Sequence, residues 1–276
     1  MARLSAVAVF LLALIVSSRL IWQPSQFKAV FFDVGEGAST FIETPERFQV
    51  LIDGGPSSKV VTLLGQEMPF YDHFLDLVVL THFDRDHLYG LLEVIKRYQI
   101  GRVLVSGGQV ETQVARLFKQ ALENRALEAE IADADSDFQI GQTSFDFLSP
   151  AEAEWDSGLS ENDLSLVLYV NYEDLDLLLM ADASSQREER LLNLWPDVEV
   201  LQVSHHGSSS STSQLFLQKI TPLVAVIPVG KNSYGHPDQS VLDRLSGVGA
   251  RVLRTDQQGT IRLFIKDNQI KIRTER

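Results

Sequence analysis

The sequence predicts a layered α/β fold in which helices cover a mixed pair of β-sheets. Short β-rich apolar runs that end in turn residues are typical of strands, and between several of them apolar residues recur with helical spacing. Paired-strand patterns dominate residues 27–53, 137–180 and 251–273, whereas strand–helix alternation dominates 54–130 and 185–250. Both styles in one chain favour helices packed outside a pair of mixed sheets.

No linker rich in proline, glycine or serine divides the chain after residue 26, so we expect one domain over residues 23–276. Strands are predicted at Ala29–Phe32, Gln49–Ile52, Leu77–Leu80, Val103–Val105, Leu166–Val170, Leu177–Met180, Val200–Val203, Val224–Val229 and Ile261–Ile265. Helices are predicted at Leu88–Tyr98, Val110–Ala126, Gln186–Trp195, Ser213–Ile220 and Gln239–Leu245.

Composition excludes several classes of protein. The 276 residues are 45% hydrophobic and 22% charged, as in ordinary globular proteins, which leaves enough apolar material for a sizeable core. The absence of cysteine excludes disulfides, a thiol nucleophile and cysteine-ligated zinc. With 24 basic and 37 acidic residues the formal net charge is −13, which disfavours a broad grip on DNA phosphates. Metal ions can still supply positive charge to a phosphate locally.

Residues 1–22 are predicted to lie outside the fold. The apolar run Leu4–Val16 follows Arg3 and precedes small residues, a pattern typical of a secretory signal peptide. The run is short for a membrane span, which needs about 20 apolar residues. We therefore expect export to the periplasm or the cell exterior, with the segment either cleaved or retained as a membrane anchor. A buried N-terminal helix is the alternative.

Four candidate metal ligands follow the predicted strand Leu77–Leu80, and a helical pattern begins directly after them. Side chains at the carboxyl end of a strand converge where α/β sheets form sites. Imidazole nitrogens and carboxylate oxygens are ligands of zinc, manganese and iron. Because alternate positions of an extended loop point the same way, this loop could hold two ions about 3.5–4 Å apart. The four candidates are His82, Asp84, Asp86 and His87.

Other predicted strands also end in polar residues. Asp182 follows one apolar run, and the adjacent histidines His205 and His206 follow another. Each of these residues also has an ordinary interpretation as a turn, cap or loop residue. The same holds for three further candidates, Asp33, Asp53 and His236.

The loop at 82–87 resembles the H-x-H-x-D-H motif of the metallo-β-lactamase superfamily, with Asp84 in place of the second histidine. This variant is similar to the metallo-β-lactamase-like domain of ComEC-type competence proteins, a family of DNA-uptake channels. Further matches follow in family order between about residues 29 and 264. They are Asp33–Gly37 with D-V-G-Q-G, Asp53–Gly55 with D-G-G, Asn162–Leu168 with N-x-x-S-L-V-L, Leu178–Asp182 with L-L-T-G-D, His205–Ser208 with H-H-G-S, Asn232–Pro237 with N-x-Y-G-H-P and Arg254–Gly259 with R-T-D-x-x-G.

The resemblance implies a four-layer αββα metallo-β-lactamase-like sandwich of two mixed sheets that holds two divalent metal ions, zinc or manganese. It assigns His82 and Asp84 to metal one, and Asp86 and His87 to metal two. It makes Asp182 the carboxylate that bridges the two ions.

The same resemblance leaves the remaining ligands open. One of the two adjacent histidines should bind metal two; we favour His205, because it lies nearer the strand end, and expect His206 to contact substrate or supporting groups. Asp53 is expected to support the metal loop, and Asp33 could orient a ligand histidine. Asn162 stands where metal one normally takes a further histidine. It could be a weak ligand, hold a water or leave that ion loosely bound, and an oxygen-rich site favours manganese.

Two classes of function stay open. The first is an exported metal-dependent hydrolase, a phosphodiesterase or nuclease, in which a metal-bound hydroxide attacks DNA or another phosphoester. Asp86 would orient that hydroxide, and His236 could donate a hydrogen bond to a phosphate oxygen or a leaving group. The alternative is a non-catalytic module that keeps the fold and a structural metal and binds DNA or a protein partner. No obligate protein partner is indicated, and a β-lactamase is a weaker third hypothesis.

Overall fold

The computed structural model describes residues 26–108, 111–155, 158–192, 198–266 and 269–276. Within these residues two mixed β-sheets lie face to face, and helices pack on the outer face of each sheet. The predicted four-layer αββα sandwich is therefore confirmed.

Fifteen strands form the two sheets in the described part of the chain. In chain order they are β1 (Lys28–Phe31), β2 (Thr40–Glu43), β3 (Gln49–Ile52), β4 (Phe74–Leu80), β5 (Gln99–Ser106), β6 (Ala129–Ala132), β7 (Phe138–Ile140), β8 (Thr143–Ser149), β9 (Val167–Tyr172), β10 (Leu175–Leu179), β11 (Val200–Gln202), β12 (Val224–Ile227), β13 (Arg251–Arg254), β14 (Ile261–Lys266) and β15 (Gln269–Thr274). The strand orders are β15-β14-β1-β2-β3-β4-β5-β6 and β13-β12-β11-β10-β9-β8-β7. Strands β3 to β6 and β10 to β13 run parallel, and the other neighbours run antiparallel.

Helices cover both outer faces. In chain order they are α1 (Lys59–Glu67), α2 (Arg85–Leu88), α3 (Leu91–Arg97), α4 (Gln113–Glu123), α5 (Ser185–Leu191), α6 (Gln214–Ile220), α7 (Gln239–Gly247) and α8 (Thr255–Gln258). The first four pack on the eight-stranded sheet, and α5, α6 and α7 pack on the seven-stranded sheet. Short 3₁₀ turns lie at Glu152–Glu154, Asn162–Leu164 and Ser204–Gly207.

The strands are apolar on both faces because both faces are buried. In β1, Ala29 and Phe31 point into the core between the sheets, and Val30 packs against the helical layer. In β12, Val224 and Val226 point inward in the same way. Burying one such Val or Phe side chain contributes about 1.5–3 kcal/mol. These strands therefore read in the sequence as continuous apolar runs instead of an alternating pattern.

The helix predicted at Leu88–Tyr98 is instead two helices, α2 and α3, which meet near Gly90. The Gly90 N–H donates to the Gly55 carbonyl at 2.8 Å. A Cβ at Gly90 would lie 1.9 Å from the Gly54 carbonyl oxygen. A side chain is therefore excluded where the turn after β3 contacts the loop after β4, and this contact fixes two parts of the candidate site together.

Several predicted segments lie partly or wholly outside the described residues. These include the apolar N-terminal segment 1–22, the first residues of the helix predicted at Val110–Ala126 and the end of the helix predicted at Gln186–Trp195. None of the helices that the structure describes is long and apolar enough to span a membrane.

The carboxyl ends of β4, β10, β11 and β12 lie at one end of the sandwich and lead into the candidate site residues. Two buried hydrogen bonds join the sheets. The Thr40 hydroxyl of the first sheet donates to Gln202 Oε1 of the second at 3.0 Å. The Leu166 N–H donates to the Thr81 carbonyl at 3.0 Å. Residues from both sheets can thus contribute to one site.

A buried ion pair joins the 3₁₀ turn at Glu152–Glu154 to α5. Arg187, whose side chain is 3% exposed, donates from one terminal nitrogen to both Glu154 carboxylate oxygens at 2.8 and 2.7 Å. Its other terminal nitrogen donates to the Asp163 carbonyl at 2.6 Å. Burial opposes ionisation of Glu154, but the hydrogen bonds from Arg187 and the Ala151 N–H, with the charges of Arg187 and Arg190, together outweigh it and lower the Glu154 pKa.

We predict that Glu154→Gln lowers the free energy of unfolding by about 2 kcal/mol at pH 7, because Arg187 stays buried without its carboxylate. The folded-state pKa of Glu154 lies below its usual value of 4.5. Its contribution is therefore complete above that value and is lost as the pH falls through the folded-state pKa. Urea denaturation at neutral and at acidic pH should show that the free energies of unfolding of the parent protein and of Glu154→Gln become equal in acid. Glu152→Gln, an exposed neighbour, is the control, and equal stability of all three at pH 7 would contradict the prediction.

Candidate metal centre

Asp53 orients two buried histidines from behind the site. Its Oδ2 accepts from His87 Nδ1 at 2.7 Å and from the Thr81 hydroxyl at 2.8 Å. The Thr81 hydroxyl donates its single hydrogen to Asp53 in a hydrogen bond. Its oxygen therefore acts as the acceptor for His82 Nδ1 at 3.0 Å. Because Nδ1 of each imidazole is hydrogen-bonded behind the site, Nε2 of each ring faces the other site residues. Metal-binding histidines are commonly oriented in this way.

Asp182 follows β10 and lies among four histidines. Its Oδ1 is 3.2 Å from His87 Nε2. Its Oδ2 is 3.8 Å from the Nε2 atoms of His82, His205 and His206. The carboxylate thus reaches ring nitrogens contributed by both sheets, as a bridging group must.

Left-handed backbone turns direct these side chains. Ala181, His205 and His206 have φ values of +45°, +49° and +54°. For ordinary residues this conformation costs about 1–2 kcal/mol each, and such strain is typical of functional sites. The Ala181 carbonyl accepts from the His205 N–H at 2.9 Å, and His206 Nδ1 donates to the Pro228 carbonyl at 2.8 Å. The turn therefore buries His206 with Nε2 toward Asp182, whereas His205 stays 29% exposed.

Two groups of side chains have the spacing that a cation needs. The ligand atoms of His82, His87 and Asp182 lie within 4.8 Å of one another, and so do those of Asp86, His87 and His206. The Nε2 atoms of the three histidines and Asp182 Oδ1 are buried without a hydrogen-bond partner. Unpaired buried polar atoms are costly and rare, and here they converge. The residues therefore fit divalent cations, which would satisfy all four atoms.

The electrostatics of the cluster are strongly coupled. Burial, assisted by His87, lowers the pKa of His82. Burial also opposes charge on His87 and His206, but the neighbouring carboxylates together outweigh it, Asp182 with Asp53 for His87 and Asp182 with Asp86 for His206, and raise both pKa values. Burial likewise opposes ionisation of Asp182 and Asp86, but the nearby histidines together, chiefly His87 for Asp182 and His206 for Asp86, lower both pKa values. Protons therefore compete with metal for the same nitrogens.

The other predicted ligands of the loop at 82–87 take distinct places. Asp86 Oδ2 lies 3.2 Å from His206 Nε2, within ion-pair distance. Asp84 Oδ2 lies 3.7 Å from His82 Nε2, and the Asp84 side chain is 43% exposed. The second imidazole of the Asp86 group is therefore His206, although sequence position favoured His205.

Three further predicted residues lie at the edge of the cluster or outside it. His236 lines the pocket, and burial lowers its pKa, with His205 adding to the shift. Asn162 begins a 3₁₀ turn and belongs to neither group of ligand atoms. The Asp33 carboxylate contacts Arg276 at 2.8 Å and Lys59 at 3.4 Å instead of a histidine.

Two carboxylates beside the cluster, Glu161 and Glu36, are not among the predicted site residues. Glu161 lies against Asp84, and burial, with Asp84 adding to it, raises the Glu161 pKa to about 7. Glu36 lines the pocket, and burial raises its pKa. Each had a signal in the sequence. Glu36 stands where the D-V-G-Q-G motif has an amide, and Glu161 immediately precedes Asn162, the position where a further ligand was sought.

The cluster opens into a pocket of about 470 Å³. This is enough for a small organic ligand. Its lining includes four carboxylates but only one permanently charged cation, Arg85. The other lining residues are Pro56, Tyr234, His205, His206 and His236.

A family model of the metallo-beta-lactamase superfamily matches residues 32–231. The chain belongs to this superfamily. The family signature therefore includes both the loop at 82–87 and the histidine pair after β11, the two parts of the centre that come from different sheets.

Two competence proteins are similar in sequence. ComE operon protein 3 of Bacillus subtilis is 32% identical over 263 residues, which cover 88% of this chain and 34% of that protein. Competence protein ComA of Neisseria gonorrhoeae is 31% identical over 272 residues, which cover 96% of this chain and 36% of that protein. The resemblance predicted from the motifs is confirmed, and the chain spans about a third of the length of these relatives.

Solved structures of the superfamily show the same fold. The metallo-beta-lactamase fold protein YhfI of Bacillus subtilis aligns with a TM-score of 0.60 at 11% identity, over 86% of this chain and 99% of that one. At such low identity the likeness concerns the fold alone. It agrees with the two sheets and outer helices described above.

We predict that His206→Ala loses one bound metal ion per chain, whereas His205→Ala keeps both. The reason is that His206 Nε2 belongs to the ligand group of Asp86 and His87, and His205 does not. Elemental analysis of the protein after loading with manganese or zinc measures the number of ions. Loss of an ion from His205→Ala alone would contradict the structure and restore the preference based on sequence position.

We also predict that a chelator lowers the melting temperature of the metal-loaded protein. A cation at 100 times its Kd contributes about 2.7 kcal/mol, which corresponds to roughly 5–10 °C for a chain of this size. Calorimetry with and without EDTA measures the shift. Asp182→Asn, which removes the central charge, should show a much smaller difference. An unchanged melting temperature in the parent protein would exclude metal binding at this centre.

Proposed function

We propose that this chain is a metal-dependent hydrolase that cleaves phosphodiester bonds, with DNA as the favoured substrate and other phosphoesters as further candidates. The observation that carries the proposal is the cluster of buried, unpaired Nε2 atoms around Asp182 at the base of an open pocket. Superfamily membership supports it, because the fold is one that holds metal-dependent hydrolases.

The charge of the pocket supports a phosphoester substrate only if cations are present. Glu36, Asp84, Asp86 and Asp182 face a single arginine, Arg85. Without metal this lining repels a phosphate. Two divalent cations would add four positive charges and reverse the local field, so that an acidic protein can hold an anionic group at this one place.

Distinct side chains would hold the two cations. His82 and Asp84 would contribute to one position, Asp86, His87 and His206 would contribute to the other, and Asp182 lies between them. Bound cations would polarise a phosphoryl oxygen and lower the pKa of a water to about 7.

The remaining polar groups would position the reactants. The Asp86 carboxylate, 34% exposed in the pocket, can accept a hydrogen bond from a water and orient it. His236 is kept neutral by burial, and a neutral imidazole has one N–H to donate to a phosphate or leaving-group oxygen. Hydrolysis then yields a phosphomonoester and an alcohol.

The cations we propose are zinc or manganese. The position of His82 is rich in oxygen, since Asp84 lies beside it, Glu161 lies against Asp84, and the further histidine is absent. Hard oxygen ligands favour manganese, whereas the imidazoles of the other position also suit zinc.

DNA and export are parts of the same proposal. The similarity to competence proteins favours DNA as the phosphodiester. The apolar N-terminal segment favours a periplasmic or extracellular location, with that segment either removed or kept in the membrane.

One observation favours a second candidate, a non-catalytic module that binds DNA or a partner around a structural ion. Asp84 is 43% exposed and Asn162 lies outside the ligand groups, so neither residue adds a buried ligand to the position of His82. A single bound ion would stabilise the fold without providing a two-metal centre.

We predict that the full chain hydrolyses bis-p-nitrophenyl phosphate and linear DNA when loaded with manganese or zinc, and that Asp182→Asn lowers kcat/KM at least 100-fold. Asp135→Asn, an exposed aspartate elsewhere, should leave activity unchanged. A protein that binds two ions yet is inert on every phosphodiester would refute the enzyme and favour the module.

A further inference from the structure

Tyr234 stands at the mouth of the metal pocket with most of its ring in solvent. It lines the pocket together with Asp86 and His236, yet the residue is 75% exposed. Among the large apolar side chains that the structure describes as exposed, Tyr234 alone lines this pocket. An exposed aromatic ring beside a catalytic pocket needs an explanation other than core packing.

The loop that carries Tyr234 is held rigidly by one side chain. Asn232 Oδ1 accepts from the backbone N–H groups of Tyr234, Gly235 and His236 at 3.1, 2.9 and 3.0 Å. Asn232 Nδ2 donates to the carbonyls of Gly230 and His236 at 3.0 and 2.9 Å. Five hydrogen bonds to one amide leave the loop little freedom, so binding to the ring would order little additional backbone.

The base of this loop is fixed against the opposite wall of the pocket. A Cβ at Gly230 would lie 2.2 Å from the Gly35 carbonyl carbon and 2.3 Å from the Glu36 nitrogen. Only glycine permits this approach between two backbones. The position of Tyr234 relative to the metal ligands is therefore set by main-chain contact, not by flexible side chains.

One face of the Tyr234 ring is supported from within the site. Its centroid lies 5.8 Å from that of His236, and the two planes differ by 25°. His236 in turn lies 5.7 Å from His205. The histidines thus support the tyrosine from the pocket side, and its large exposure leaves ring surface open to a flat ligand group.

We propose that Tyr234 is a stacking surface for a nucleobase whose phosphodiester lies over the metal centre. This inference rests on the proposed function and narrows its substrate to nucleotidyl esters, such as the phosphodiesters of single-stranded DNA. Bases stack on exposed aromatic rings with little dependence on sequence. The ring would therefore orient a nucleic acid strand that this acidic protein cannot hold by basic side chains over a broad face.

Two oligonucleotides with the same backbone separate base stacking from phosphate chemistry. One is a single-stranded thymidylate oligonucleotide, and the other is an abasic oligonucleotide of equal length with the same phosphates. The full chain loaded with metal is assayed on both, as are Tyr234→Ala and Tyr234→Phe. Tyr71→Ala, which alters a 73% exposed tyrosine outside the pocket, is the control. Metal content and circular dichroism verify that each variant is folded and loaded.

The expected result is that Tyr234→Ala lowers kcat/KM on the thymidylate strand roughly 5- to 100-fold, in the range of one lost base stack. The abasic strand should change less than about twofold, and Tyr234→Phe should retain the parent ratio. An equal loss on both strands, or no loss on either, overturns the stacking role while the hydrolase stands. A parent protein that cleaves neither strand with either metal overturns the proposed function, and the stacking role with it.

Discussion

Each buried histidine of the candidate metal centre has one ring nitrogen hydrogen-bonded to the protein, and the direction of the other nitrogen follows from that bond. Asp53 holds His87 directly and His82 through one threonine hydroxyl, while the Pro228 carbonyl holds His206. Because an imidazole is planar, fixing Nδ1 fixes where Nε2 points. The centre therefore depends on hydrogen bonds that lie behind it. Loss of one of these hydrogen bonds would let an imidazole rotate away from the cluster, although the histidine itself would still be present.

The sandwich explains why these bonds can form at one place. His82 follows a strand of one sheet and Asp182 a strand of the other, and both sheets end their parallel strands on the same side. Buried contacts keep the two ends together, including the hydrogen bond from Thr40 to Gln202 and the one from the Leu166 N–H to the Thr81 carbonyl. Packing of this density allows little relative movement, so a layer shift that weakened the core would also separate the ligands.

Much of this centre could be predicted from local sequence. The loop at 82–87 and Asp182 each follow an apolar run, and polar groups at strand ends are a local signal. The different orientations of His205 and His206 could not be predicted, because they depend on two consecutive left-handed residues, a conformation that is uncommon outside glycine. Asp33 contacts Arg276, which lies 243 residues away in the chain, a partner that no local pattern indicates.

The contact between Glu161 and Asp84 could not be predicted from the sequence for a different reason. It exists only because the segment tied to α5 folds over the loop at 82–87, and neither segment alone predicts the other. Two neighbouring carboxyl groups repel each other when both are ionised, and a proton on Glu161, favoured mainly by burial, relieves that repulsion. A divalent cation would relieve it more completely and would gain oxygen ligands. Asp84 and Glu161 thus offer oxygen ligands, whereas an imidazole in place of Asp84 would have been a softer ligand.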